Sequence, residues 1–557
     1  MKTKVLIISG IILLIALVSV PRLAGTGRYV TADEPTWARF SANYYYALAN
    51  KYYAGTYQIG YPGVTTMAIG AAAFQLEFPE YVRYGQADPG DMGVLYSFMN
   101  HGPNPIELLA AARKLMSLVI LVALGVSFFY ARQIYLTLPT LLGFLFIAFD
   151  PFHIAHSRVL HTNALLASFM FLSVLSFLYY LQFRRWHALV VSGLAAALSI
   201  LTVTPGLILL PVIGLMAVVD WFSKRSASGE SDLMRTVRKY LVPLTLWGVF
   251  ILLFAVLFWP ALWVDFLGTV REVLDYTLTS AQGASVVIDA EGGQGSTMGQ
   301  GSNPILFYLR AYAWRSTPLV WIGIFLAVMA MLVSKGKWLT NLQSRGILML
   351  LLYAVVYVGI MSLGEKKFDR YLLPIFLPLD LIAGVGWVAA VDWIACRYER
   401  LRKPVFQYGA IALLAVFQMA FALPYQPYYL NYYNPLLGKA DDVPADMFAG
   451  WGEGLSEAAL YLDQNVNKEK EVAIAWYPLA FNWFSQGLGF WAEPIYADAE
   501  ISEEQLGEYL HVDYAVIYIN QWQRDMPHEL MVAIEGLTPE HVIEIDGVEY
   551  VRIYRMR

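Results

Sequence analysis

The feature that most constrains the fold is a series of apolar runs, roughly 16 to 22 residues each, about the length that crosses the hydrocarbon core of a bilayer. Of the 557 residues, 58% are hydrophobic and only 15% are charged, a composition that excludes an ordinary soluble enzyme. Because a helix satisfies every backbone polar group internally, such runs predict membrane-spanning helices. We predict about eleven spans, at 5–20, 115–131, 137–153, 164–183, 187–203, 206–222, 241–259, 318–334, 346–363, 371–394 and 405–423.

Basic residues in the short loops predict how these spans are oriented. The Lys and Arg residues of alternate loops, such as those at 184–185 and 397–403, fall on one side, which the positive-inside rule assigns to the cytoplasm. The outer side then carries 33–34, 153–161, 260–317, 365–370 and the chain after 423. No small-x-small cleavage site follows the first run, so we expect it to be an uncleaved helix. We expect a multi-pass integral membrane protein, of the plasma membrane if the chain is prokaryotic, with its active site on the extracytoplasmic side.

The C-terminal part of the chain has a different composition. Residues 425–557 contain 22 acidic and 7 basic residues, a net charge of −15, whereas the rest contains 21 acidic and 31 basic residues. This split favours anionic lipid near the membrane part and argues against nucleic acid as a partner. Helical patterns at 455–463 and 502–510, strand patterns at 472–476 and 514–519, and a hairpin around Asp546-Gly547 predict a small α/β domain. We assign a transmembrane domain to 1–435 and an extracytoplasmic α/β domain to 436–557.

The long first outer loop, at about 22–112, contains two helical patterns of its own. The aromatic segment 37–53 and the apolar segment 64–74 predict helices at the membrane interface, separated by a break at Tyr61-Pro62-Gly63. Residues 292–302, in the second long outer loop, are rich in Gly, Ser and Gln and predict a mobile piece. The single cysteine, Cys396, excludes an internal disulfide and any multi-cysteine metal site.

Asp33 and Glu34 form a carboxylate pair directly after the first span and before Pro35. A carboxylate at the edge of the bilayer can accept the proton of an attacking hydroxyl when its pKa is suitable. The alternative is a solvated cap of the helix that follows. The two residues by themselves do not decide between a catalytic pair and a cap.

Three histidines and an arginine lie within residues 153–161, between two apolar spans. Polar groups close to lipid are costly, which favours a functional role. The spacing of His153, His156 and His161 matches no strong metal-ligand pattern. We therefore favour hydrogen bonding of a phosphate or a sugar by His156, His161, Arg158 and Asn163. A metal site and a purely structural polar turn stay open as alternatives.

Basic residues on the predicted outer side run against the positive-inside trend. Lys366, Lys367 and Arg370 form one such cluster, which favours binding of an anion such as a lipid phosphate. The alternative is that these side chains end two helices and extend towards water. Arg113, at the start of the second span, adds a weaker signal. No phosphate-binding glycine loop accompanies these cations, so a lipid-linked donor is favoured over a nucleotide sugar.

Several motifs in order along residues 1–435 resemble the C-type, lipid-carrier-dependent glycosyltransferase superfamily, most closely its protein O-mannosyltransferase-like branch. They are TADEPTW, AARKLMS, DPFHIAHSRVLHTNALLASF, LTVTPGLILLP, YLRAYAWRSTP and KKFDRYLLPIFLPLDLIAGVG. The resemblance implies that Asp33 is the general base, with Glu34 beside it, and that Arg113 contacts the donor phosphate. It further implies that Arg158, Lys366, Lys367 and Arg370 help to bind donor or acceptor.

The sequence departs from the family pattern in two places. Asn163 stands where the pattern RxxxxDALL has an acidic residue, and the segment 201–206 lacks the lysine of LTKxPAL. A second catalytic or metal-binding carboxylate at Asn163 is therefore in doubt. No metal site and no required cofactor are expected, although a divalent metal ion stays open. The 260–317 loop is too short for a β-trefoil insertion, so the C-terminal domain is a candidate for recognising the acceptor.

The resemblance implies an inverting glycosyltransferase that moves a sugar from a polyprenyl-phosphate carrier to an extracytoplasmic acceptor. Mannose is the sugar, and protein Ser/Thr the acceptor, that the nearest branch indicates. One alternative acceptor is a lipid or cell-envelope glycan, as in the aminoarabinose transferases. The alternative of another class is a transporter or flippase that uses polar residues within the membrane as a substrate path. The absence of internal repeats and the clustering of charges on one face argue against it.

Overall fold

The computed structural model describes residues 18–83, 104–228, 233–281, 304–333, 339–364, 367–438, 448–466, 471–474, 476–485, 489–491, 502–524 and 528–557, together with 16, 85 and 102. Within these ranges, apolar helices make up the chain as far as residue 422, and a small mixed sheet with short helices follows. The predicted span at 5–20 and the predicted mobile piece at 292–302 lie outside the described residues, apart from the end of the former. The predicted fold class, a polytopic helical protein with a small C-terminal α/β domain, is confirmed.

The helices are numbered in chain order. They are α1 (Glu34–Ala49), α2 (Val64–Glu77), α3 (Pro105–Tyr135), α4 (Thr137–Ala148), α5 (Pro151–Ser157), α6 (Thr162–Phe183), α7 (Trp186–Thr202), α8 (Leu209–Ser228), α9 (Leu233–Phe258), α10 (Ala261–Val264), α11 (Phe266–Ala281), α12 (Pro304–Arg315), α13 (Pro318–Val333), α14 (Asn341–Met361), α15 (Leu373–Arg397), α16 (Pro404–Ala422), α17 (Leu455–Asn465), α18 (Pro478–Asn482), α19 (Glu503–Leu510), α20 (Ile519–Arg524) and α21 (His528–Ile534).

Each predicted span from 115–131 onwards coincides with one or two of these helices. Among the described residues, seven helices are long and apolar enough to cross a membrane, or up to nine if α4 with α5 and α12 with α13 each form one bent span. The helix α7 is apolar but shorter. The predicted number of eleven spans is therefore not confirmed. The predicted span 137–153 is broken by a sharp bend, α13 is long enough only together with the bent α12, α7 is short, and the first span lies mostly outside the described residues.

Two helices form the centre of the membrane part. In both α6 and α15, 94% of the apolar 18-residue stretch is buried inside the protein, compared with 11% in α9. A helix that is apolar on every side is stable only when other protein or lipid surrounds it, and α6 and α15 are surrounded by protein. Glycines allow the close approach of α15 to α4, because a Cβ on Gly384 would overlap the backbone of Gly143. The polar residues at the ends of the bundle are thus held next to two helices that are buried in protein.

The first outer loop contains two helices, as predicted. Helix α1 begins at Glu34 with Pro35 in its first turn, where a proline fits because its missing N–H has no helical partner. Helix α2 is preceded by Gly63, whose φ of 62° is in the left-handed region that glycine adopts readily. The location of both helices at the membrane interface stays a prediction.

The C-terminal part contains a five-stranded mixed sheet. The strands are β1 (Val472–Ile474), β2 (Gly489–Trp491), β3 (Tyr514–Tyr518), β4 (His541–Ile545) and β5 (Val548–Arg555). They are ordered β2-β1-β3-β5-β4, with β1 parallel to β2 and β3, and β5 antiparallel to β3 and β4. The predicted hairpin is confirmed, with Asp546 and Gly547 at φ 53° and 85°, as a tight turn between twisted strands requires. The domain boundary at 435/436 stays a prediction.

Candidate active site

The carboxylate of Asp33 lies where the membrane helices meet the C-terminal part of the chain. Asp33 occupies the position before α1, yet its side chain makes no capping hydrogen bond to that helix. Its Oδ2 atom instead accepts hydrogen bonds from Trp451 Nε1 at 3.2 Å and Arg370 Nη2 at 3.4 Å, and lies 3.2 Å from His161 Nε2. Because 29% of the side chain is exposed, the carboxylate remains accessible to a substrate. The interpretation of Asp33 as a helix cap is therefore wrong.

Glu34 has a different environment although it is the next residue. Its side chain is fully buried and forms an ion pair with Arg113, including a 2.7 Å bond from Nε to Oε1. The other donors are Leu160 N to Oε1 at 2.8 Å, and Thr31 N and Oγ1 to Oε2 at 2.9 Å each. All of these donors belong to the protein, and the buried side chain is closed to a substrate. Glu34 thus joins the loop before α1 to α3 and to the 158–161 turn.

Arg113 is also buried, and most of its donors are used within the protein. Besides Glu34, its Nη2 donates to Tyr29 O at 2.9 Å and its Nη1 donates to Thr26 O. The predicted contact of Arg113 with a donor phosphate does not match this arrangement, because the guanidinium is 2% exposed and surrounded by backbone oxygens. The pair of Arg113 and Glu34 holds the loop 26–34 in shape and thereby positions Asp33.

His161 and Asn163 lie at the start of α6. The ring Nδ1 of His161 is placed to accept from the backbone N of Asn163, at 3.4 Å, so the proton of a neutral ring resides on Nε2 and points to Asp33. The ring stands edge-on to Trp37 and Trp451, with centroids 6.0 and 5.2 Å away. Asn163 is 5% exposed, and its Nδ2 has no hydrogen-bond partner among the described residues.

Arg158 does not line the cavity beside Asp33, and its contacts hold the chain segment that precedes the site. Its guanidinium donates to Pro21 O at 3.1 Å and Ala24 O at 2.5 Å, and lies over the ring of Tyr429 at 5.3 Å. It therefore fixes the chain that leads from the first span to the loop 26–34. His153 is likewise turned away, with its Nδ1 3.1 Å from Arg22 Nη2. Among the described residues, no group of three or more His, Cys, Asp or Glu side chains is arranged to hold a metal ion.

A cavity of about 90 Å³ adjoins Arg370 and Trp451, two of the residues that contact Asp33. Its membrane-side wall includes Arg315, Lys367 and Arg370, which make that wall cationic. Arg315 donates from Nε to Asp369 Oδ2 at 2.8 Å, and its guanidinium lies 4.5 Å from the ring centre of Tyr433. Of the predicted cationic cluster, Lys367 and Arg370 thus lie at the cavity, while Lys366 is outside the described residues.

Another part of the cavity wall comes from the C-terminal part of the chain, which the sequence analysis proposed for acceptor recognition without naming a residue. Gly450, Trp451 and Glu453 lie in the 448–454 segment, which connects the described membrane part to α17. Trp451 O accepts from Ala32 N at 2.9 Å, next to Asp33. The three alternating glycines of FAGWGEG, all at positive φ, are the sequence signal for an unusual backbone here.

The comparisons with known proteins agree with this architecture. No protein-family model and no curated protein matches the chain. Among solved structures, the chain is similar to ArnT from Cupriavidus metallidurans bound to undecaprenyl phosphate, with 15% identity, a TM-score of 0.52 and 98% of each chain covered. The apo state of ArnT gives 14% identity and a TM-score of 0.52 over 100% of this chain and 99% of that chain. The oligosaccharyltransferase AglB from Archaeoglobus fulgidus, in complex with an inhibitory peptide and a dolichol-phosphate, gives 12% identity and a TM-score of 0.46 over 98% and 74% of the two chains.

The chain therefore has the same overall fold as ArnT from Cupriavidus metallidurans. The resemblance expected from the sequence motifs is confirmed at the level of the fold. The mannosyltransferase-like branch in particular is not confirmed by these structures.

Proposed function

We propose that the protein is an inverting glycosyltransferase that moves a sugar from a polyprenyl-phosphate carrier to an acceptor hydroxyl on the extracytoplasmic side. The observation that carries the proposal is the partly exposed carboxylate of Asp33 beside a cavity with a cationic wall. Similarity of the fold to ArnT, whose structure contains undecaprenyl phosphate, supports this class of carrier. Mannose is the first sugar to test, and protein Ser/Thr the first acceptor.

In the proposed reaction Asp33 accepts the proton of the acceptor hydroxyl. The oxygen of that hydroxyl attacks the anomeric carbon, the bond from this carbon to the phosphate oxygen breaks, and its electron pair stays on the phosphate. A single displacement of this kind inverts the anomeric centre. His161 and Trp451 hold the Asp33 carboxylate in place through its Oδ2 atom.

The cationic wall stabilises the departing polyprenyl phosphate in this proposal. Arg370 contacts Asp33 and also lines the cavity, so the base and the phosphate site share one side chain. Lys367 and Arg315 add positive charge on the same wall. Preorganised charges of this sort, in a site with little water, supply a large part of the stabilisation of a transition state.

The proposal is tested with purified full-length protein in detergent and radiolabelled polyprenyl-phosphate sugars, offered with a peptide or a glycan acceptor. We expect Asp33→Asn to lower the transfer rate by about 10²–10⁴-fold, the usual contribution of a general base, without weakening binding of the donor. The matched control is Asp275→Asn, which changes an exposed carboxylate on α11. Transfer that continues unchanged in Asp33→Asn would remove the assignment of the base.

Product analysis by mass spectrometry separates the remaining candidates. A glycosylated peptide identifies a protein acceptor, and a modified lipid or glycan identifies the alternative. Uptake of a solute into liposomes without any transfer would favour the transporter. Addition of EDTA is expected to leave the rate unchanged, because Arg315, Lys367 and Arg370 supply positive charge to the phosphate.

A further inference from the structure

The cavity beside Asp33 has two walls of different chemistry. The membrane-side wall carries the cations Arg315, Lys367 and Arg370, whereas the wall from the C-terminal part carries Glu453, with polar and aromatic side chains. A single water molecule needs about 10–15 Å³ of such space, so the cavity of about 90 Å³ accommodates a group larger than a few waters. The cations explain how a phosphate could bind, but they do not explain the polar and aromatic side chains that come from the C-terminal part.

Glu453 is a buried carboxylate with one oxygen unused. The residue is 1% exposed, and its Oε2 accepts from Trp451 N at 2.6 Å and lies 3.5 Å from the hydroxyl of Tyr518. Its Oε1 has no hydrogen-bond partner among the described residues. Burial raises the pKa of the Glu453 carboxyl. A buried acceptor without a donor destabilises the fold unless a ligand or water completes it.

His156 is a second buried polar side chain with unused hydrogen-bonding atoms, and it also lines the cavity. It is 2% exposed, and neither of its ring nitrogens has a hydrogen-bond partner among the described residues. Its ring packs against Phe152 and Trp451, with centroids 4.8 and 5.3 Å away. Trp451 therefore touches both His156 and, through its backbone N, Glu453. Two unsatisfied polar side chains thus flank one aromatic ring at the cavity.

The chemistry of these groups indicates what would occupy this end of the cavity. A neutral imidazole both donates and accepts, and a carboxylate oxygen accepts, so the pair suits hydroxyl groups. The indole of Trp451 and the ring of Tyr477, also at the cavity, offer apolar faces. A cationic ligand is disfavoured by Arg315, Lys367 and Arg370, which line the same cavity. A neutral polyhydroxylated group fits all of these conditions.

We propose that His156 and Glu453 form a subsite for the hydroxyl groups of the sugar carried by the donor, so that the C-terminal part of the chain helps to select the sugar. The inference rests on the proposed function and extends it, since it divides the donor between a phosphate end at the cationic wall and a sugar end at this pair. Neither residue takes part in the proton transfer that is assigned to Asp33.

The test is equilibrium binding of radiolabelled lipids to full-length protein in detergent micelles. The probes are unloaded polyprenyl phosphate and a panel of polyprenyl-phosphate monosaccharides, from which the one that wild type binds most tightly is chosen. Glu453→Gln and His156→Phe should each weaken binding of that loaded lipid about tenfold, as expected for hydrogen bonds of a buried polar group. Binding of unloaded polyprenyl phosphate should change less than about twofold.

Two controls separate recognition from damage to the fold. Glu544→Gln changes an exposed glutamate on β4 of the same domain and should leave both affinities unchanged. Tyr518→Phe removes the hydroxyl near Oε2 of Glu453 but leaves Oε1 of Glu453 in place. This variant should therefore show no selective loss of affinity for the loaded lipid. The inference would be overturned if Glu453→Gln and His156→Phe lost affinity for both lipids equally, or for neither.

Donors that lack single sugar hydroxyls sharpen the test. A deoxy donor without the hydroxyl that Glu453 contacts should bind to the wild type about tenfold more weakly than the complete donor does. It should bind to Glu453→Gln as tightly as the complete donor binds to that variant. If every deoxy donor loses affinity equally in wild type and variant, the hydroxyl subsite is refuted while the transferase survives. Failure of wild type to bind any carrier lipid would refute the proposed function and this inference together.

Discussion

Asp33 and Glu34 are neighbours in the chain, but their carboxylates lie in different environments. Glu34 opens α1 and is fully buried against Arg113, while Asp33 precedes the helix and is 29% exposed. The sequence pattern placed an acidic pair at the membrane edge without distinguishing its two members. The difference depends on which donors surround each carboxylate. Those donors come from α3, from the 158–161 turn, from Arg370 before α15 and from the 448–454 segment.

Glu34→Gln is expected to destabilise the protein strongly. Removal of one partner from a buried ion pair leaves the Arg113 charge uncompensated, which costs about 3–5 kcal/mol. Asp33→Asn changes a partly exposed group and should cost within about 1 kcal/mol. The measurement is the apparent melting temperature of both variants in detergent. Equal melting temperatures would contradict the structural role of the Glu34–Arg113 pair.

Because Glu453 is buried, we expect the stability of the folded protein to depend on pH. Its pKa in the folded protein is raised above the ordinary value of 4.5 by burial, so the folded state holds this proton more tightly than the unfolded state. The resulting stabilisation is complete below pH 4.5 and is lost as the pH rises through the folded-state pKa. Glu453→Gln lacks this proton linkage, so its melting temperature relative to wild type should rise as the pH increases above 4.5.

A melting-temperature difference that is constant across this range would contradict the raised pKa of the buried Glu453 carboxyl. Glu544→Gln serves as the control, because its exposed side chain should give the same difference from wild type at every pH tested.

At the level of elements, local patterns were predictable and distant contacts were not. The hairpin of β4 and β5 follows from Asp546-Gly547 between alternating apolar residues, and α1 and α2 follow from the aromatic and apolar segments around a Pro-Gly break. The contact of Trp451 with Asp33 joins residues 418 positions apart, and no periodicity encodes it. The residues predicted for the candidate site therefore included none from the C-terminal part of the chain.

The crossing of α4 and α15 depends on the absence of side chains. A Cβ on Gly143 would come within 2.8 Å of the Cα of Leu381, and one on Gly384 would overlap Gly143 itself. Gly384→Ala should therefore separate the two helices and cost about 1–3 kcal/mol.

The control is Gly359→Ala on α14, where a Cβ meets no atom within 4 Å and the better helix propensity of alanine should be neutral or stabilising. The apparent melting temperature distinguishes the two variants. An unchanged value for Gly384→Ala would show that the crossing tolerates a wider spacing.

For the molecule as a whole, α15 connects the site to the opposite end of the bundle. Arg370 lies just before its start, and the exposed Cys396 lies at its end. A helix of 25 residues is about 37 Å long, more than the thickness of a hydrocarbon core of about 30 Å. If the site faces outwards, Cys396 lies on the cytoplasmic side.

A membrane-impermeant thiol reagent tests this orientation. Cys396 should react in inverted membrane vesicles but not in intact cells, whereas Glu544→Cys combined with Cys396→Ser should react in intact cells. The reverse pattern would place the proposed reaction on the cytoplasmic side.

The contact between Asp33 and Trp451 also has a consequence for biosynthesis. Because the two residues are 418 positions apart and translation proceeds at about 5–20 residues per second, roughly 20–80 s separate the synthesis of Asp33 from that of Trp451. Throughout this interval the growing chain contains Asp33 but not the Trp451 indole that donates a hydrogen bond to it. A chain that ends before residue 451 lacks this hydrogen bond, so we expect the proposed activity to begin only when the ribosome has nearly finished.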